Sequence, residues 1–545
     1  MVPKWLIIIL LIITFVLILP PIISIFYDVA LITLHNPEKM SIIITKPYYL
    51  YRPLINSVVV CGISAIISTI LGLGFAWLLA RYNVPYKNLL LSLLTGPYII
   101  PSFMMAIGWI MLWTNNGLFE QFTHMKSPIE PYGPLSLIII LSLHNYPLAM
   151  LTIYTTLVNM DASLEEVARI HGVPWYKVVR GIILPLIMPG ILSGFILAFA
   201  YSISEFGAPA VLGLPVGYTV LTTQIYSFMT EAPIEYEAAE VLSIVLSLIG
   251  IGVLGINYAI LSKKSYATIT GKISRVEVKR PSYTVFFLVI LFMLIVYTPS
   301  FAVVVGSLIK NWGEPITWAN IGLDHYIKVL TMSRSVNALI ITLGLAIGAA
   351  TIASFLGVLI GYTVLRSKTL ITKIMDFLVF LPFSIPGLVI GVGLIIASGR
   401  IYGPLYGTAF ILLIAFIIRF LPYATRTTIP VLMQIDESLE ETSRVHGVSF
   451  GKTMIRIVFP LTLGALFSSW VFVFNSSMKE LSASAILATQ VETAIVVAFL
   501  LFSDGYFSDG AALTIIIVAI TLLLTGIASK FTRKGLAELQ AKTIK

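Results

Sequence analysis

Long apolar runs recur along almost all of this 545-residue chain, and that recurrence leaves few folds open. A hydrocarbon core about 30 Å thick takes about 20 helical residues to cross. Inside it every backbone N–H and C=O must be satisfied internally, which restricts spanning structures to helices and closed barrels. Twelve such runs can be counted, near 5–28, 53–80, 89–113, 134–158, 186–211, 240–262, 283–308, 336–365, 374–398, 405–432, 461–488 and 512–530. The chain is therefore expected to be an all-α polytopic membrane protein. Charged residues make up only 11% of it, against about 25% in soluble domains. The first run follows Lys4 and continues past Pro20 and Pro21 without a small-residue cleavage site, so it is expected to be a retained helix rather than a secretion signal.

Orientation follows from the placement of lysine and arginine. Residues 263–280 hold six basic residues against one Glu, whereas residues 213–240 hold Glu231, Glu235, Glu237 and Glu240 and no base. The first segment is expected on the cytoplasmic side and the second outside. Even numbers of crossings then place both termini in the cytoplasm. The net charge of +9 is accounted for by anchoring at an anionic leaflet, with no nucleic-acid partner. Cys61 is the single cysteine, which excludes disulfides, cysteine zinc clusters and c-type haem attachment. The six histidines are scattered, so neither a metal site nor a cofactor is expected. No nucleophile, base and orienting group can be assembled, and the chain is read as a non-enzyme.

The chain is a duplication. DASLEEVARIHGV, from Asp161 to Val173, returns as DESLEETSRVHGV, from Asp436 to Val448, with nine of thirteen positions identical. The offset of 275 between Gly172 and Gly447 holds without a gap from Pro147 and Pro422 to Glu205 and Glu480. Upstream it drifts: Asn56 pairs with Asn337 at 281, and Pro97 and Pro101 pair with Pro382 and Pro386 at 285. The surplus falls in the outer loop TNNGLFEQFTHMKSPIEPYG, which faces the shorter GRIYGP, and insertions belong in loops. Six crossings per repeat give both halves one orientation, related by an axis along the membrane normal. The halves are taken as 1–262, with its core at 53–262, and 282–545, with its core at 336–530. Residues 263–281 form a basic cytoplasmic linker between them.

VHGVSFGKT, Val445 to Thr453, superficially resembles a phosphate-binding loop. That loop needs four residues between its glycines, and Gly447 and Gly451 have three. The other copy has Tyr176 in place of Gly451, so the match is accidental. Both copies do share L-E-E-x-x-R-x-H-G-V. Asp161 or Ser163 can cap a short helix and Gly172 can end it in a left-handed conformation, with a second helix running on toward Pro185. The expectation is a short helix on the cytoplasmic face, present twice.

Glu166-Val167-Ala168, Gly172, Ile182, Leu184 and Pro185, with Glu441-Thr442-Ser443, Gly447, Ile457, Phe459 and Pro460, resemble the signature of membrane-spanning permease subunits of binding-protein-dependent ABC importers. Val167, Thr442, Ser443 and Phe459 depart from it modestly. RFLPYATR at Arg419, MKELSASAIL at Met478 and SEFGAPAVLG at Ser204 resemble the fused permeases of the ferric-iron uptake type, whose relatives carry thiamine, polyamines or phosphonates. The resemblance implies a type I importer permease in a prokaryotic plasma membrane. Its partners would be two cytoplasmic ATP-binding subunits and an extracytoplasmic solute-binding protein. It also implies that the short helices are coupling helices, carried by Glu165, Glu166, Ala168, Arg169, His171 and Gly172 and by Glu440, Glu441, Ser443, Arg444, His446 and Gly447. Glu166 and Glu441 are then the candidates to pair with an Arg of the ATPase.

Ionisable residues inside a bilayer cost about 2.5–3.5 kcal/mol even on lenient scales, so they face a cavity or a partner. His144, Glu205, Arg419, Lys479 and Glu480 are accordingly candidates for the translocation path. Helix-end ion pairing and helix packing are the plainer roles for the same residues. An ion-coupled secondary carrier, also built from parallel repeats, is the competing reading. Such a carrier needs carboxylates at mid-membrane and has no use for two matched cytoplasmic docking helices.

Overall fold

A computed structural model describes residues 2–160, 163–263, 282–312 and 314–543. Of the linker read at 263–281, residues 264–281 lie outside the described residues, as does the capping candidate Asp161. The principal helices are α1 (Lys4–His35), α2 (Arg52–Arg81), α3 (Lys87–Ile99), α4 (Ser102–Trp113), α5 (Pro134–Val158), α6 (Ser163–Ile170), α7 (Leu184–Ser204), α8 (Tyr236–Lys263) and α9 (Tyr283–Gly306). The remainder are α10 (Ser333–Arg366), α11 (Leu370–Phe380), α12 (Gly387–Ala397), α13 (Ala409–Leu432), α14 (Glu437–Val445), α15 (Phe459–Met478) and α16 (Phe507–Thr543). Among the described residues ten helices are long and apolar enough to cross a membrane, and two bent pairs bring the total to twelve.

Those two pairs correct the sequence reading of runs 89–113 and 374–398 as plain crossings. α3 and α4 meet at 87°, and the second run bends by 111° between α11 and α12. Proline disfavours the helical conformation of the residue before it. Ile100, ahead of Pro101, is extended with ψ 136°, and α4 starts immediately after the proline. Pro386 stands in the same place before α12. The fifth crossing of each half also differs from its apolar run: α7 ends at Ser204 and α15 at Met478, and separate short helices follow. At their N-terminal ends both follow a π-turn, Val179–Ile183 and Met454–Val458, just before Pro185 and Pro460. A proline cannot donate to the carbonyl four residues back and its ring crowds it, so a widened turn is the natural accommodation.

The chain divides into two compact units, Met1–Ile42 with Ile225–Ser247 and Leu323–Lys545, and Ile43–Gln224 with Leu248–Gly322. Each unit thus contains the leading helix of the other sequence half. In the unit built on 323–545, α1 packs against α11 and α12. Pro20 and Pro21 inside α1 free the carbonyls of Val16 and Leu17, and the Tyr402 hydroxyl donates to both, at 2.6 and 3.3 Å. In the unit built on 43–224, α9 packs against α4 and α3. There Pro97 frees the carbonyl of Leu93, which accepts from the Tyr297 hydroxyl of α9 at 2.8 Å. Val285, Val289, Met293 and Val296 line the inner face of α9, while Phe287, Leu288, Leu291 and Leu294 are exposed, as a lipid-facing side requires.

Close backbone approach sets the middle of both units. A Cβ on Gly72 of α2 would lie 2.7 Å from the Met150 nitrogen of α5, so α2 and α5 touch there. In the other unit a Cβ on Gly357 of α10 would lie 2.7 Å from the Ala424 carbonyl carbon of α13. These are the small-residue contacts that bring membrane helices together when apolar burial offers no drive.

Candidate functional site

Polar chemistry collects at two levels in each unit: the loop that carries the repeated L-E-E-x-x-R-x-H-G-V motif, and the break in the bent crossing. At the first, α6 and α14 end in the same way. Gly172 and Gly447 have φ of +69° and +70°. Val173 N–H donates to Ala168 O and Gly172 N–H to Arg169 O, both at 3.0 Å; Val448 to Ser443 and Gly447 to Arg444 repeat the pattern at 3.0 and 2.9 Å. This is a Schellman ending, which needs a left-handed residue and so favours glycine. At the start of α14, Asp436 accepts from Ser438 N–H at 2.9 Å, and that bond holds its carboxyl below the usual aspartate range.

The adjacent glutamates take opposite directions. Glu166 and Glu441 are exposed, as are Arg169, His171, Arg444 and His446. Glu165 turns inward to Arg81, the last residue of α2: Arg81 Nη1 donates to Oε2 at 2.8 Å and Nη2 lies 2.5 Å from Oε1, with the guanidinium 5.2 Å over the Trp77 ring. Glu440 is buried and accepts from Arg366 Nε at 2.9 Å and from the Tyr362 hydroxyl at 2.5 Å. Arg366 also donates to Ile435 O at 2.7 Å and to Glu437 at 3.2 Å. Ala168 and Ser443 are buried, and the Ser443 and Thr453 hydroxyls are 2.7 Å apart. The tips are apolar and bare: Ile170 is 80% exposed and Val445 85%.

At the second level, His144 on α5 places Nε2 3.0 Å from the carbonyl of Ile100, the residue at the break, and Nδ1 3.0 Å from Asn145 Oδ1. Asn145 donates to Ser202 of α7 at 2.9 Å. Glu205, just past α7, accepts from Ser102 Oγ at 2.6 Å and from Gly207 N–H at 3.0 Å. Ser102 opens α4, so the carboxylate sits at a helix N-terminus, where negative charge is favoured. In the other unit Arg419 pairs with Glu480 at 2.9 Å, and Glu480 also accepts from Ala483 N–H at 3.0 Å. Both side chains border Gly387, the first residue of α12, where any Cβ would overlap the guanidinium. Irregular backbone at membrane depth requires such partners. Lys479, next to Glu480 in the chain, is half-buried.

Sequence reasoning missed Arg81, Arg366, Tyr362, Ser102 and Tyr402. Arg81 and Arg366 were within reach, because they share the 285 register of the paired prolines. Among the described residues no group of three or more His, Cys, Asp or Glu could hold a metal ion.

Comparison with known proteins gives two kinds of match. A family described as binding-protein-dependent transport system inner membrane component matches residues 68–265 and again 353–535. The ferric transport system permease protein of Actinobacillus pleuropneumoniae is 30% identical over 521 residues, 92% of this chain and 74% of that protein. A putative ferric transport system permease protein of Haemophilus influenzae is 30% identical over 485 residues, 86% of this chain and 74% of its own length. The molybdenum transport system permease protein of Escherichia coli K12 is 29% identical over 216 residues, 38% of this chain and 93% of that protein.

Proposed function

We propose, from the premise that this chain belongs to the binding-protein-dependent transport system inner membrane component family, that it is a translocating permease of an ABC importer, coupled through α6 and α14 to two separate cytoplasmic ATPase subunits. The observation that carries this reading is the matched pair of loops. Each is a short rigid helix, stopped by a left-handed glycine, with an outward Glu and a bare apolar tip. A rigid rod seated in a partner's groove transmits rigid-body rotation, and an exposed carboxylate beside it suits a bidentate arginine. Ala168 and Ser443 serve the fold of the loop, and Arg169, His171, Arg444 and His446 lie on the surface offered to the partner.

Cargo arrives from an extracytoplasmic solute-binding protein and crosses an inner membrane, with both termini of the chain in the cytoplasm. Ferric iron is the favoured cargo, because the relatives matched over most of the chain are named for it, whereas a molybdenum permease aligns over only 38% of the chain. The break clusters at His144 and Glu205 and at Arg419 and Glu480, with Lys479 beside them, border the translocation path and hold its bent helices.

The test is purification from native membranes in mild detergent, with mass spectrometry of whatever co-elutes. Gly172→Leu with Gly447→Leu serves as control: a Cβ at either glycine meets nothing within 4 Å, so the strain lies in the backbone alone, about 1–2 kcal/mol per residue. An ATPase held by the parent and lost from the variant is the expected result. A folded parent that brings down no ATPase would make the ion-coupled carrier the better reading.

A further inference from the structure

We propose that Arg81 and Arg366 are positioning residues that make the second crossing of each repeat, α2 and α10, the lever through which the cytoplasmic loop moves the bent crossing. The inference rests on the coupling reading above and goes beyond it, since neither residue belongs to the loop.

A loop helix passes motion to whatever holds it most stiffly. On its C-terminal side α6 continues through Gly172, a residue of wide conformational freedom. Against α2 it is held by a hydrogen bond from Arg81 Nη1 to Glu165 Oε2 and a close charge contact between Nη2 and Oε1, with side chains 8% and 11% exposed. Such a charge-assisted, desolvated pair ties the loop helix to the end of α2. From there the path stays within one unit. α2 meets α5 backbone to side chain at Gly72 and Ala149. On the same α5, His144 holds the carbonyl of Ile100 at the break. The second unit repeats the first two stations, Arg366 with Glu440 and Gly357 against Ala424, and at the third Arg419 pairs with Glu480 beside Gly387, the residue after Pro386. These stations belong to two different sequence registers, 285 for the arginines and glycines and 275 for the glutamates, alanines and break residues. Both registers meet in equivalent contacts, so what the two copies have in common is the linkage and not only the parts.

Spatial continuity alone does not establish coupling, so the test measures motion. In the intact transporter on a Cys61→Ser background, spin labels at Ile70→Cys on α2 and Ile170→Cys on α6, both exposed positions, report one distance by pulsed electron resonance. With Arg81 present, that distance is expected to hold within about 2 Å, the scale of helix shifts in such transitions, between nucleotide-free and ATP-trapped states. Arg81→Gln is expected to let the distance change with nucleotide and to lower substrate transported per ATP by about tenfold, within the usual range of coupling. Arg81→Glu combined with Glu165→Arg should recover most of both, which a purely structural role would not require. If Arg81→Gln fails to assemble, Arg81→Lys takes its place, with a smaller loss in the same direction. A label distance that changes by a helical turn while Arg81 is intact would overturn the lever, as would unaltered transport per ATP in the assembled Gln or Lys variant. A parent that binds no ATPase would overturn the coupling reading first, and the lever with it.

Discussion

The two motif loops share a backbone and differ in how they are tied down. In the first copy Arg81 makes a two-point pair with Glu165 and stacks on Trp77. In the second, Tyr362 occupies the position equivalent to Trp77 and donates to Glu440, while Arg366 reaches Glu440, Glu437 and the carbonyl of Ile435. The breaks differ in the same sense. His144 answers a carbonyl in one unit, whereas Arg419 answers a carboxylate in the other. Duplication has therefore kept the place and the task of each residue and let the chemistry drift, so the second copy carries more charge in its ties. The apolar packing between them has not drifted: Gly72 on Ala149 and Gly357 on Ala424 are the same contact.

That contrast can be broken at several points. The largest effect is expected where the copies are alike. Gly172→Leu and Gly447→Leu should each abolish most transport, by about a hundredfold when combined, with membrane insertion intact by protease mapping; unequal single losses would show that one loop dominates. Next, Arg419→Ala should cost about 3–5 kcal/mol in a reversible detergent titration, because it strands the buried Glu480 carboxylate. His144→Ala should cost about 1–3 kcal/mol, the penalty for an unmet buried acceptor. Equal losses would erase the distinction between the charged and neutral breaks. Arg366→Ala should destabilise more than Arg81→Ala by about 1–3 kcal/mol in the same titration, since it also gives up the bond to Ile435 O. The smallest effect is expected from Tyr362→Phe, about 1 kcal/mol for one hydrogen bond, with no counterpart when Trp77 is changed to Phe.

Much of this was legible in the sequence, for reasons that can be named. The bilayer forces helices, so apolar runs located the crossings, and the duplicated LEExxRxHG placed both loops and their left-handed glycines. What composition could not reveal was the bend. Run 89–113 is apolar throughout, and only the effect of Pro101 on Ile100 divides it. Nor could it reveal that Glu165 and Glu166 face opposite ways. Their neighbour Arg81 lies 84 positions earlier, and the contact depends on how α2 and α5 pack. The exchange of leading helices was hidden for a similar reason. α9 is apolar on every side, so no stripe marks the face formed by Val285, Val289, Met293 and Val296.

The most direct test of the central claim is a photo-crosslinking residue placed at Ile170 and, separately, at Val445, the bare tips of the two helices, with lipid-facing Phe287 as control. After irradiation in native membranes, both tips are expected to yield adducts with an ATP-binding subunit, while Phe287 yields none. If neither tip captures such a subunit while the chain is folded and transporting, the loops do not couple this permease to an ATPase.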